Sequence, residues 1–175
     1  MTEDTYFAQT VPQQYASAMA AVSDDVASQP LLTITYVIDG VRHGLRAEGR
    51  ELIYVAGGID ASDLTVSMSG AALQQAIAHG SNEMFIDFVQ RRKVAVVKGI
   101  RGNVALDMTQ ADGAAFEAAM LFNGAVEPAV TLRMTMADFQ DTMSGKLNAN
   151  TAFMLGKLKF DGSLPLLMQI GALGA

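Results

Sequence analysis

The sequence predicts a single α/β domain of the α+β kind, and three observations carry the prediction. β-Branched and aromatic runs punctuated by turn residues fill the stretch from Leu31 to Met68. A period of 3.6 replaces the period of two after Gly70. Half of the 175 residues are hydrophobic while only 17% are charged, against a typical charged fraction of about 25%. A chain of this length buries about 70% of the surface it exposes when unfolded, which allows one substantial core.

Within an N-terminal segment, 1–28, the stretch from Val11 to Ala27 spaces Tyr15, Met19, Val22 and Val26 by four, three and four, so one amphipathic helix is expected. Leu31 to Ile38 reads as a strand, and Asp39-Gly40 is the two-residue turn that returns the chain along Val41 to Glu48. Arg42, His43 and Arg46 on that second strand require a wet face or a sheet edge. Glu51 to Ala56, closed by Gly57-Gly58, and the alternating Leu64 to Met68 complete four strands, which in sequence imply a meander. Beyond Gly70, Leu73, Ile77 and Ala78 and then Met84, Phe85, Phe88 and Val89 predict two short helices broken at Gly80. Lys93 to Val97 is rich in β-branched residues and predicts a strand, Gly99 to Asn103 a turn, and Gln110 to Leu121 a helix carrying Ala115, Phe116, Ala119 and Met120.

Thr65-Val66-Ser67-Met68-Ser69 is echoed 66 residues later by Thr131-Leu132-Arg133-Met134-Thr135, with Leu73/Phe139, Gln74/Gln140 and Ile77/Met143 in step. The echo suggests an internal repeat of 65–108 in 131–170, although small gaps are needed, and two unrelated strand-plus-helix units would look similar. In the later copy Ala129 to Thr135 is a strand, Ala137 to Ser144 and Ala149 to Leu155 are helices, and Leu158 to Phe160 is a strand. Ser163 then caps a last helix, Leu164 to Leu173, with Pro165 in its first turn.

The net charge of −6 disfavours nucleic acid and any mode of binding that neutralises phosphates. Arg91-Arg92-Lys93 is the densest basic run, read as a solvated helix end or a transient lipid-surface contact. The absence of cysteine excludes disulfides, thiolate nucleophiles and cysteine metal sites. No apolar run reaches the roughly 18 residues of a membrane span, and the acidic start Met1-Thr2-Glu3-Asp4 is unlike a secretion signal, so a cytoplasmic location is expected.

Three segments of the C-terminal half carry a family resemblance. Thr131-Leu-Arg-Met-Thr-Met-Ala-Asp-Phe139, Met143-Ser-Gly-Lys-Leu-Asn148 and Ala152-Phe-Met-Leu-Gly-Lys-Leu-Lys-Phe160-Asp-Gly-Ser-Leu-Pro-Leu-Leu-Met168 together resemble sterol carrier protein 2 domains. The resemblance implies one curved, mainly antiparallel sheet of five or more strands covered by helices. Between sheet and helices it implies a hydrophobic tunnel for a sterol, fatty acid or acyl-CoA. The whole chain, 1–175, would form that one domain. Leu155 stands where the family often has glutamine, the ending Ala172-Leu173-Gly174-Ala175 is not the peroxisomal tripeptide of eukaryotic members, and 65–125 adds strand and helix material.

The tunnel so implied would be lined by Met120, Met134, Phe139, Met143, Phe153, Met154, Leu164, Leu167, Met168 and Ile170. Eleven methionines suit a wall that moulds to differing apolar ligands, and equally suit irregular core gaps. The last thirteen residues carry no charge, so their helix must be covered or cover something: a closing helix, a lid, or a homodimer contact. No catalytic residue, metal site or cofactor is expected. His43 and His79, 36 residues apart, read as surface histidines; Asp24 and Asp25 point in different directions; Gly99 to Gly102 is too short to cradle a phosphate. A non-enzymatic lipid carrier is therefore expected, with an accessory or oligomerisation module that presents hydrophobic substrate to a partner enzyme as the alternative.

Overall fold

The computed structural model describes residues 1–80 and 84–175; the part of the proposed repeat at 81–83 lies outside them. The chain starts helical, with α1 (Glu3–Thr5) running through a π-helical turn (Tyr6–Thr10) into α2 (Val11–Met19), followed by α3 (Asp24–Ala27). The expected helix of Val11 to Ala27 is thus two helices, yet Tyr15, Met19 and Val26 are all buried as their spacing requires.

β1 (Leu32–Ile38) and β2 (Val41–Glu48) form a hairpin in which Ile38 faces Val41. Asp39 and Gly40 close it at φ 49° and 85°, the left-handed pair that matches strand twist. β3 (Glu51–Ala56) adds to β2 and forms one edge of the sheet. The expected meander ends there. β4 (Leu64–Met68) lies parallel to β1, on its other side. The connection is pinned to β1: the Thr35 hydroxyl donates to the Ile59 carbonyl at 3.1 Å and accepts from the Ile59 amide at 3.0 Å, and Asp63 accepts from the Thr33 amide at 2.9 Å. These bonds carry the chain across β1, which pure strand alternation does not encode.

Helices α4 (Gly70–Ala78), α5 (Met84–Gln90) and α6 (Val94–Gly99) follow. The expected strand at Lys93 to Val97 is α6. Its valines have strand propensity, but Val94 and Val97, three apart, are both buried, and packing on one helical face outweighs propensity. The expected turn at Gly99 to Asn103 is shorter, because β5 begins at Gly102. The expected helix at Gln110 to Leu121 is also overturned: β5 (Gly102–Thr109) and β6 (Ala115–Phe122) form a hairpin with Thr109 opposite Ala115. Gly113 turns it at φ 85°, and Phe116, Met120 and Phe122 alternate into the core.

β7 (Ala129–Thr135) lies parallel to β5, and α7 (Met136–Met143), α8 (Ala149–Met154), β8 (Lys159–Gly162) and α9 (Leu164–Gly174) complete the chain. The eight strands make one mixed sheet in the order β3-β2-β1-β4-β6-β5-β7-β8, with antiparallel pairs in the majority. At the offset of the sequence echo, Ser69 caps α4 through the Ala72 amide and Thr135 caps α7 through the Asp138 amide, each at 3.1 Å. Helices α4, α7 and α9 pack on β5, β6 and β7, leaving Ser67, Ala105, Glu117 and Arg133 on a partly open opposite face.

Candidate functional site

The inner faces of four central strands and the helices above them leave an apolar cavity of about 60 Å³. Its floor is Tyr36 of β1, Leu64, Val66 and Met68 of β4, Leu106 of β5, and Phe116, Ala118 and Met120 of β6. Its roof is Ala76 of α4, Met84, Phe85 and Phe88 of α5, and Met136 and Phe139 of α7. These positions meet because each strand exposes alternate residues to the helices and each helix exposes residues three or four apart. The Tyr36 hydroxyl is the polar atom of this lining, and burial pushes its ionisation far above the ordinary tyrosine range.

Two larger openings flank the cavity. A cleft of about 430 Å³ between α2, α5 and α7 is lined by Gln14, His79, Gln90, Gln140, Asp141 and Lys146, and it shares Met84 with the cavity. A groove of about 490 Å³ runs between α8, β8 and α9, lined by Leu147, Phe153, Leu158, Phe160, Leu164, Leu167 and Met168 among others.

The candidate residues divide among these places. Met120 and Phe139 line the cavity, Met143 the cleft, and Phe153, Leu164, Leu167 and Met168 the groove. Met134 and Ile170 are buried in the core, and Met154 projects into solvent from the end of α8. Helix α9 buries Leu166, Leu167, Ile170 and Leu173 while Leu164 and Met168 stay exposed, so it closes the core with one face and walls the groove with the other. Tyr36, Val66, Met68 and Phe85 belong to strand and helix patterns visible in the sequence, whereas Ala76 lies beside the expected face of Leu73, Ile77 and Ala78; the convergence of all five on one point is a tertiary fact.

The polar candidates have structural partners. His43 is 1% exposed, contrary to the surface position expected of it, because β2 lies inside the sheet under the N-terminal helical turn. Its ring stacks on Phe7 at 4.6 Å and its Nδ1 is 3.0 Å from the Tyr54 hydroxyl, while Nε2 is buried with no hydrogen-bond partner among the described residues. Asp4 and Glu3 stand 3.5 and 3.9 Å from the ring nitrogens. His79 is exposed, 3.2 Å from the Gln110 side chain. Asp24 accepts from Arg50 at 3.0 Å and Asp25 from Arg92 at 2.6 Å, each pointing its own way. Bonds from Arg92 and Ser23 hold the Asp25 carboxyl down at about 2. Arg91 donates to the Met143, Leu173 and Gly174 carbonyls at 2.7, 3.1 and 3.0 Å, and Lys93 to the Ala172 carbonyl at 3.0 Å. The basic run thus ties α5 to the end of α9.

Residues 81–174, more than half of the chain, match the SCP-2 sterol transfer family. The chain belongs to that family. In this SCP-2 protein the matched segment supplies α5 to α9 and β5 to β8, whereas Tyr36, Leu64, Val66, Met68 and Ala76 of the cavity lie before it. Over 69 residues the chain is 42% identical to "Peroxisomal multifunctional enzyme A" of Dictyostelium discoideum; the match covers 39% of this chain and 15% of that protein. Among solved structures, sterol carrier protein domain 2 of Helicoverpa armigera aligns with a TM-score of 0.42 at 25% identity, over 54% of this chain and 84% of that one. A stereoselective inverting sec-alkylsulfatase from Pseudomonas sp. aligns with a TM-score of 0.26 at 14% identity, over 99% of this chain and 16% of that one.

Among the described residues no helix is long and apolar enough to cross a membrane, and no group of three or more His, Asp or Glu side chains could hold a metal ion.

Proposed function

We propose that this SCP-2 protein binds and carries a lipid of sterol, fatty acid or acyl-CoA type, performs no chemistry on it, and does so in the cytosol. The observation that carries the reading is the apolar cavity between sheet and helices, whose wall contains hydrocarbon, aromatic and thioether groups and a single hydroxyl. At about 60 Å³ the cavity is smaller than the about 300–1,000 Å³ of ordinary ligand pockets, so the ligand must open it. Met68, Met84, Met120 and Met136 provide the means, since unbranched thioether side chains change rotamer and retain favourable contacts. Met84, shared with the cleft between α2, α5 and α7, marks the way in, which leaves a polar head among Gln14, Gln90 and Gln140.

Native mass spectrometry of protein purified from cells tests the proposal, together with titration of a fluorescent fatty acid. Retained lipid and saturable displacement by unlabelled fatty acid are expected; an empty protein that fails to take up the probe overturns it. A second reading is an accessory module that presents hydrophobic substrate to a partner enzyme. It is favoured by the match to a segment that makes up 15% of a protein named as a multifunctional enzyme.

A further inference from the structure

The polar atoms of the cleft between α2, α5 and α7 are chiefly acceptors that lack donors. The Gln14 side-chain oxygen is buried there with no hydrogen-bond partner among the described residues. Gln90 and Gln140 commit their amide N–H groups to the chain itself: Gln90 donates to the Ala18 carbonyl at 3.1 Å, and Gln140 to the His79 carbonyl at 3.3 Å. Those bonds fix which end of each amide is oxygen, and both oxygens are left without a donor among the described residues. The Asp141 carboxylate on the same wall has neither an ion pair nor a donor among them.

Charge in the cleft is balanced. Asp87 is answered by Arg91 at 3.4 Å, and Asp141 shares the cleft with Lys146. An ionic head of either sign therefore gains little net attraction while it loses its water. An ionised carboxylate also accepts only, so it would leave the buried Gln14 oxygen unpaired. Hydroxyl groups both donate and accept, which suits three amide oxygens and a carboxylate set beside one ammonium. Size indicates more than one hydroxyl. The cleft holds about 430 Å³, within the about 300–1,000 Å³ of ordinary ligand pockets, whereas a lone hydroxyl needs about the 30 Å³ of a water.

We infer that this cleft takes an uncharged head bearing several hydroxyls, a glycerol or a hexose, on a lipid whose hydrocarbon chain occupies the neighbouring cavity. The inference rests on the carrier reading and names the head group that reading leaves open. Met84, which lines both spaces, marks where chain and head join. Gln14 of α2 and Asp141 of α7 accept from the head's hydroxyls on either side, Gln90 and Gln140 add two more acceptors, and Lys146 donates to a hydroxyl oxygen.

Displacement of a fluorescent fatty acid from the full chain tests this with oleic acid, oleyl alcohol, 1-monooleoylglycerol and oleyl glucoside, which are alike in chain and differ in head. The better of the two polyol lipids, which identifies the source of the head, is expected to displace the probe at about 25-fold lower concentration than oleic acid. That figure is two added hydrogen bonds at about fivefold each, and oleyl alcohol should fall between. Gln14→Met removes the unpaired oxygen at similar side-chain length; it should melt no lower than the parent and cut the ratio of polyol lipid to oleic acid affinity about fivefold. Oleic acid displacing the probe as well as both polyol lipids overturns the inference and leaves the carrier reading standing. So does oleyl alcohol matching them, or a ratio unchanged in Gln14→Met. If neither the probe nor any of the four lipids binds, the carrier reading falls and this inference with it.

Discussion

Ala118→Val tests the cavity by filling it. Ala118 sits half-buried on the inner face of β6 between Phe116 and Met120, and its methyl group lines the void. A cavity admits one water-sized group for about every 10–15 Å³ of such space, so the about 60 Å³ here accommodates the two methyl groups that valine adds without displacing the roof, and leaves less room than before. Each carbon removed from water contributes about 0.8 kcal/mol, giving about 1.6 kcal/mol at most, and valine is also the better strand residue. At this chain length the ligand-free protein should melt about 3–6 °C higher. A lipid chain that must share the same space should bind about tenfold more weakly, which a fluorescent fatty acid titration reads directly. A raised melting temperature with unchanged affinity would refute the placement of ligand in this cavity. A lowered melting temperature would refute the premise that the space is empty.

Three further outcomes follow from contacts that join separate elements. Gly174→Ala is expected to cost about 1–3 kcal/mol in urea unfolding, because a Cβ there would stand 2.0 Å from the Thr142 carbonyl oxygen and force α9 away from α7. Asp63 accepts from the Thr33 amide, the Thr33 hydroxyl and the Lys98 ammonium at 2.9, 3.1 and 2.9 Å; Asp63→Ala should cost about 2–4 kcal/mol in denaturant unfolding, and Asp63→Asn less, since asparagine still accepts from Thr33. Arg92→Gln should return the Asp25 carboxyl from about 2 toward its ordinary 3.8, read by NMR titration. Because the folded value is depressed, the stabilisation from this pair exists above the unfolded value and disappears as pH falls toward about 2, and its full exposure to solvent predicts an unchanged melting temperature at neutral pH.

The Asp39-Gly40 hairpin, the strand at Leu64 to Met68 and the run of elements from Ala129 to Leu173 were legible because turn chemistry, alternation and caps act within a few residues. The misreadings fall where local signals conflict. Lys93 to Val97 has strand propensity, yet α6 presents Val94 and Val97 together to the core. Gln110 to Leu121 is rich in alanine, but Asp112-Gly113 lies in the longer loop of a hairpin, with Gly113 at φ 85°, and the alternation of Phe116, Ala118, Met120 and Phe122 was the stronger signal. Burial of His43 was not legible, since β2 becomes an inner strand through pairing with β3 and shelter from Phe7.

By itself the sequence determined the class of fold, the family, and the apolar, cysteine-free character of the chain, because composition, turn residues and short motifs are local properties. Only the tertiary structure decided that β4 crosses to the far side of β1 and that the candidate lining splits between a cavity, a cleft and a groove. It also decided that residues preceding the family match complete the cavity floor. The reason is the same in each case. A side chain's direction follows from its own strand or helix, but which side chains meet depends on the order in which strands pair, and Thr35 and Asp63 set that order through bonds between residues 24 and 30 positions apart.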